Sequence, residues 1–244
     1  MLLDELIKKY SFTLPEEGLA GVYLKINDFD VYENLYLEWP VDLMFSEIIR
    51  EIGKHIANDF ESCISVYTHN DTILLTFKID EDNDNLQYLV STVASKATVL
   101  LYSTLLNLIL NYNERVETID FGEDANAEEK KEILSNRIEN LTKLLESNLT
   151  YFGNAFYIPE SKKEDLYLGL ATAAEIETKN RFIDAYGDEQ GEDQFNHLRW
   201  ELADGTLFEK NIVGTLIEKY LMENPEENER EWYAYPETGG DTNE

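Results

Sequence analysis

The segment from Gly21 to Phe77 constrains the fold most, because its residue pattern reads strand, helix, strand, turn and strand. Residues 22–28 form the first strand of this pattern. Apolar residues recur at helical spacing between 41 and 56 and then alternate between 64 and 77, as they do in a pair of strands. Turn-forming residues at 68–71 separate these two strands. The segment therefore predicts three neighbouring strands and one helix packed on them.

Acidic and amide side chains follow two of these strands where each of them ends. Asn27, Asp28 and Asp30 close the first strand, and Asp71 comes just past the bend between the later two. Strand ends that lie side by side in a sheet can hold divalent cations between their oxygen ligands. Phosphoryl-transfer chemistry that depends on metal ions is the first hypothesis for this chain.

The alternation of the first strand bears on which side chain joins Asp71. The apolar residues that end at Ile26 face the core, and Asp28 continues that face, whereas Asn27 lies on the other. A bulge at the strand end would rotate Asp28 or Asp30 into the site. A simpler interpretation of Asp71 is a turn hydrogen bond at the hairpin bend.

The order of elements predicts an α+β fold, a mostly antiparallel sheet with helices packed on one face. One domain is expected over 1–222, followed by an acidic, disordered tail at 223–244. A flexible acidic linker is expected from Gly187 to Asp193. Further helices are predicted at 2–10, 86–112, 127–147, 163–186 and 195–202, and further strands at 155–159 and 214–220.

The chain is strongly acidic, with 50 Asp and Glu against 20 Lys and Arg in 244 residues and a formal net charge of −30. The tail at 223–244 holds only 8 of the acids, so most of the charge belongs to the folded part. Such a field repels nucleic acid, and RNA binding would need a strong local basic patch. Two alternatives remain: a charge that keeps the protein soluble, or a surface that mimics a polyanion and binds a basic partner.

Cys63 is the only cysteine, which excludes an intrachain disulfide and a cysteine-type zinc site. The sequence has no uninterrupted apolar run of about 18 residues, so no membrane span is expected. The N-terminal residues lack a basic region of the kind that begins a signal peptide. We expect a cytoplasmic protein that does not interact with a membrane.

Five segments occur in the same order as motifs of the tRNA-His guanylyltransferase family, and the chain resembles that family over roughly Gly21 to Tyr220. The resemblance implies that a helical insertion at about 113–150 interrupts the domain. The first and second segments correspond to the family's two metal-binding motifs. The third is a small-residue helix segment, the fourth keeps a helix asparagine, and the fifth lies near the C-terminus. They are Lys25–Asp28, Tyr67–Thr72, Thr92–Ser95, Thr178–Asn180 and Val213–Ile217.

The resemblance implies a polymerase-type palm domain in which two Mg²⁺ ions bridge two aspartates and a nucleoside triphosphate. Asp71 matches the second aspartate and is the implied metal ligand. The first aspartate falls on Asn27, a neutral and weaker ligand, so Asp28 is the candidate second carboxylate.

The resemblance also implies GTP or ATP as ligand, an RNA 5′ end as the acceptor of nucleotidyl transfer, and assembly into an oligomer. Lys25, Asn180 and Arg181 are the candidates for contacting the nucleotide or its phosphates. Because Asn27 replaces a carboxylate and the chain is so acidic, a second hypothesis stays open. It is a catalytically inactive palm that acts as an acidic interaction protein.

Overall fold

A computed structural model describes residues 18–79, 86–118, 127–198 and 200–219. Within them, six strands form one sheet in which every neighbouring pair is antiparallel, in the order β4-β1-β3-β2-β5-β6. The antiparallel sheet expected from the sequence is thus confirmed. The strands are β1 (Leu19–Ile26), β2 (Cys63–His69), β3 (Thr72–Lys78), β4 (Tyr151–Ile158), β5 (Thr206–Lys210) and β6 (Leu216–Lys219).

Seven α-helices accompany the sheet in the described part of the chain. They are α1 (Phe29–Tyr36), α2 (Leu43–Asp59), α3 (Leu86–Thr118), α4 (Ala127–Glu146), α5 (Lys163–Tyr186), α6 (Asp188–Asn196) and α7 (Trp200–Ala203). Residues predicted at 2–10 as a helix and at 223–244 as a disordered tail lie outside the described ranges.

The main core lies between one face of the sheet and the helices α2 and α3. Leu24 and Ile26 of β1 and Leu75 of β3 are buried on this face, as their alternation predicts. Ile49 and Ile52 of α2 pack against them with the helical spacing that the sequence contains. Burial of these apolar side chains fixes which face of each strand points inward.

The opposite face of the sheet is covered in part by α5, so the expectation of helices on one face needs correction. The Tyr167 hydroxyl of α5 hydrogen-bonds with the hydroxyls of Ser65 and Thr76 at 2.6 and 2.5 Å. Tyr67 and Leu74 are buried beside it. The physical reason is that the alternate positions of β2 and β3 are themselves apolar or hydrogen-bonded, so this face also needs cover.

The long helix α3 packs beneath the sheet. Its buried residues recur along one stripe: Leu89, Val93, Ala97, Leu101, Leu105 and Ile109. By length and composition, with a mean hydropathy of 1.5 over its most apolar stretch, α3 could also cross a membrane. The buried stripe packs against the sheet and α4, whereas only 22% of the most apolar stretch of α3 is buried inside the protein.

The segment expected as a flexible linker from Gly187 to Asp193 is instead mostly helix α6, and that prediction was wrong. Gly187, with a φ of 83°, turns the chain between α5 and α6. Gly191 lets the two helices touch, since a Cβ there would lie 2.5 Å from the Phe182 carbonyl oxygen. Both glycines serve the packing of two helices rather than chain flexibility.

Helix α4, within the predicted insertion, is tied to α2 by a buried ion pair. Asp42 caps α2 by accepting from the Phe45 backbone N–H at 2.8 Å, and the same carboxylate accepts from Arg137 Nη2 of α4 at 2.8 and 2.6 Å. Asp42 is 4% exposed. The insertion region is therefore part of the core of this fold.

Candidate active site

The end of β1 and the turn between β2 and β3 lie side by side. The ladder pairs Lys25 with Thr72, and the Ile26 backbone N–H donates to the Asp71 carbonyl oxygen at 3.3 Å. The two strand ends singled out in the sequence are thus neighbours in the sheet. Asn27 follows Ile26 directly, and its backbone N–H donates to the Thr150 carbonyl oxygen at 2.9 Å.

Asp71 directs its carboxylate into the protein. The side chain is 7% exposed, and its Oδ1 receives a long bond of 3.4 Å from the Thr72 hydroxyl. Its Oδ2 has no hydrogen-bond partner among the described residues and lies 3.9 Å from Lys25 Nζ. The backbone N–H of Asp71 itself also bonds this carboxylate, as in a turn aspartate. The burial of Oδ2 without a hydrogen-bond partner in the described part of the chain nevertheless fits a ligand-binding role.

Burial sets the charge state of this carboxylate. Desolvation raises the pKa of Asp71 to about 7, although Lys25 acts in the opposite direction. Asp30 and Glu33 raise it a little further. Asp71 in turn is the main cause of the raised pKa of Lys25. A carboxyl group that is forced toward neutrality by its surroundings is typical of functional sites.

Tyr151 of β4 is a buried residue that interacts electrostatically with the same carboxylate. It pairs with Ile26 in the ladder and is 6% exposed. Burial and, secondarily, the charge of Asp71 raise the pKa of the Tyr151 hydroxyl. That hydroxyl has no hydrogen-bond partner among the residues described.

Asn27 and Asp28 turn toward each other rather than toward Asp71. Asn27 Nδ2 donates to Asp28 Oδ2 at 2.8 Å, and both residues are exposed. The expectation that Asp28 continues the core face was wrong, because β1 ends at Ile26 and Asp28 adopts a left-handed φ of 54°. Strand alternation no longer applies beyond that point. Their proposed roles in catalysis and in metal binding remain untested predictions.

Helix α1 brings two acids, Asp30 and Glu33, to this region. Asp30 was named from the sequence only as an alternative, and Glu33 was not predicted. Asp30 lies in the first turn of α1, and Glu33 is 5% exposed. Both act electrostatically on Asp71. The position of Glu33 could have been predicted, because Phe29 and Glu33 lie one turn apart and therefore on the same side of a short helix.

Arg181 of α5 forms ion pairs with two acids, and its predicted contact with phosphate remains a prediction. Its Nη1 lies 2.5 Å from Glu33 Oε1, its Nη2 lies 2.9 Å from Glu177 Oε1, and its guanidinium lies over the Trp39 ring. Asn180, the neighbouring candidate, is exposed on α5. Of the predicted nucleotide contacts, the structure brings Lys25 to Asp71.

His69, at the end of β2, connects the hairpin to α5. Its Nε2 is 3.0 Å from the Thr178 hydroxyl, which also donates to the Ala203 carbonyl oxygen at 3.3 Å. Burial lowers the pKa of His69 to about 4, which keeps the ring neutral at neutral pH. These bonds fix the β2–β3 turn that carries Asp71.

Asp71 supplies a carboxylate that fits one Mg²⁺ ion. Two-metal sites need carboxylates that bridge the ions, and no group of three or more His, Cys, Asp or Glu side chains close enough to hold a metal occurs among the described residues. A single Mg²⁺ is commonly held by one or two carboxylates together with substrate phosphates and water. The unbonded Oδ2 of Asp71 is the atom that would serve this purpose.

Comparison with known proteins places the fold. No protein-family model and no curated protein sequence matches the chain. A bacterial tRNA(His) guanylyltransferase (Thg1)-like protein, solved in complex with GTP, aligns with a TM-score of 0.59 and 16% identity over 86% of this chain and 84% of that one.

Two other solved structures agree with this result. The bacterial guanylyltransferase-like protein in complex with ATP aligns at a TM-score of 0.59 and 17% identity, covering 89% of this chain and 88% of that one. The tRNA(His) guanylyltransferase from Saccharomyces cerevisiae aligns at 0.53 and 11%, covering 87% and 94%. The chain has a palm-like α+β fold. Specifically, it has the fold of the tRNA(His) guanylyltransferases, as the sequence resemblance predicted.

Proposed function

We propose that this protein binds a nucleoside triphosphate, GTP or ATP, together with one Mg²⁺ ion at Asp71. The observation that carries the proposal is the buried Asp71 carboxylate, whose Oδ2 has no hydrogen-bond partner in the described part of the chain and lies beside Lys25 at the joined strand ends. The solved bacterial proteins of the same fold, in complex with GTP and with ATP, support the choice of ligand.

Some residues of the site would bind the ligand through their charge, and others would hold the site in position. Asp71 would hold the ion, which would neutralise part of the triphosphate charge. Lys25, which lies beside Asp71 with 37% of its side chain exposed, would bind a phosphate oxygen. His69 and Thr178 keep the turn in place. The proposal is limited to binding, because nucleotidyl transfer to an RNA 5′ end by two metal ions requires a second carboxylate close to Asp71.

Calorimetric titration of GTP and ATP tests the proposal. With Mg²⁺ present we expect a dissociation constant in the micromolar range, and with a chelator in place of Mg²⁺ we expect affinity to fall at least tenfold. The Asp71→Ala variant should lose the Mg²⁺-dependent part. The Asp188→Ala variant, changed at an exposed acid at the start of α6, is the matched control and should bind like wild type.

A titration without heat at millimolar nucleotide would contradict the proposal. That result would favour the second candidate, an acidic interaction protein. Its specific support is the capture of Arg181 by Glu33 and Glu177, which removes a phosphate-binding cation, together with the net charge of −30.

A further inference from the structure

Lys25 places an ammonium group beside the carboxylate that is proposed to bind the metal. The β1–β3 register places Lys25 opposite Thr72, and its Nζ is 3.9 Å from Asp71 Oδ2. The Lys25 side chain is 37% exposed and that of Asp71 only 7%. A divalent ion bound to Oδ2 would lie close to this ammonium, so the two cations would repel each other and compete for the carboxylate.

The contact between Lys25 and Asp71 is electrostatic and displaceable. A separation of 3.9 Å is too long for a hydrogen bond, and Oδ2 has no hydrogen-bond partner among the described residues. The ammonium therefore compensates the charge of Oδ2 without being fixed by directional bonds. The Lys25 side chain is 37% exposed, so a phosphate oxygen can reach the ammonium and replace the carboxylate as its partner.

Other acids also act on this ammonium. Asp30 and Glu177 act electrostatically on Lys25 in addition to Asp71. The second cation of the region, Arg181, is paired with Glu33 and Glu177. Removing the charge of Lys25 would therefore leave Asp71 in a field of acids, which attracts a divalent ion.

We infer that Lys25 is an internal cation that competes with divalent metal for Asp71, so that metal enters the site only when nucleotide phosphates draw Lys25 away. This inference rests on the proposed function for the identity of the displacing ligand. The competition itself concerns only Lys25, Asp71 and the metal. In consequence, the protein without nucleotide should bind divalent metal poorly at this site.

Electron paramagnetic resonance of free Mn²⁺ measures the competition directly, without nucleotide, at 0.15 M salt to screen surface acids and under anaerobic conditions at pH 8.5. This pH is needed because the pKa of Asp71 is already about 7, and loss of Lys25, which lowers it, would raise it further. We expect Lys25→Met to bind Mn²⁺ at least tenfold more tightly than wild type. Lys25→Arg, which keeps the charge, should resemble wild type. The double variant Lys25→Met with Asp71→Asn should lose the gain, which assigns it to Asp71.

Equal Mn²⁺ affinity of wild type and Lys25→Met would overturn the inference, and so would a gain that persists in the double variant. Thermal unfolding checks that each variant is folded, and the half-exposed position of Lys25 favours this. Failure of the proposed function is separate. If Lys25→Met gains Mn²⁺ affinity but wild type binds no GTP or ATP, the competition stands and nucleotide binding does not.

Discussion

At pH 8, the Asp71→Asn variant is expected to be more stable than wild type by as much as about 4 kcal/mol in free energy of unfolding. The folded protein raises the pKa of Asp71 to about 7, mainly through burial, whereas an unfolded aspartate has a pKa of about 4. A difference of about three pH units corresponds to about 4 kcal/mol. Asparagine has nearly the same shape and cannot ionise, so it avoids this cost.

The sign follows from proton binding. Between about pH 4 and pH 7 the folded state holds a proton on Asp71 that the unfolded state has lost, so stability falls as the pH rises through this window. The full penalty is present above pH 7 and absent below pH 4. Urea unfolding at pH 4 and pH 8 should therefore show a stability difference between variant and wild type that grows with pH.

The exposed Asp28→Asn variant is the matched control, with an expected change within about 0.5 kcal/mol at both pH values. A difference between Asp71→Asn and wild type that does not depend on pH would contradict the assignment. A buried acid that lowers stability is understandable if it is retained for binding, since functional sites often cost stability.

Replacing Asp42 with alanine should lower the free energy of unfolding by about 3 to 5 kcal/mol, the range for breaking a buried ion pair from one side. Asp42 is 4% exposed and accepts from Phe45 and Glu38 N–H groups and from Arg137. The variant loses the cap of α2 and leaves the Arg137 guanidinium without its carboxylate in a largely buried position.

Urea unfolding followed by circular dichroism measures the loss. Glu51→Ala, on the exposed side of the same helix, removes only the surface ion pair with Lys54 and should change stability by less than about 1 kcal/mol. A loss below 1 kcal/mol for Asp42→Ala would mean that α4 is not held to α2 by this pair.

The sheet and the major helices could be predicted because their patterns are local. The alternation that ends at Ile26 and that of β3 set the buried faces correctly. Helix α5 has the predicted bounds, 163–186, because a proline and acidic residues mark its beginning and a glycine marks its end. Strand β6 was predicted within 214–220, whereas its partner β5 was missed, because five residues between α7 and a turn carry little pattern.

The location of the candidate site could be predicted from the sequence, but the interactions of its side chains could not. The register that brings Lys25 beside Asp71 follows from adjacent strands. The electrostatic interaction of Asp71 with Tyr151 joins residues that are distant in the chain, and the ion pair of Arg181 depends on Glu33 in a helix that was not predicted. The direction of Asp28 depends on a left-handed backbone angle that an aspartate adopts only occasionally.

We propose that the end of β1 and the β2–β3 turn together bind the nucleotide–metal complex. Backbone amide NMR spectra of the ¹⁵N-labelled protein, recorded with GTP and substoichiometric Mn²⁺, test it most directly, because Mn²⁺ broadens resonances of nearby nuclei. We predict that broadening is greatest at 25–28 and 70–72. Broadening that spares both segments, or that centres on the acidic residues 188–193, would contradict the claim.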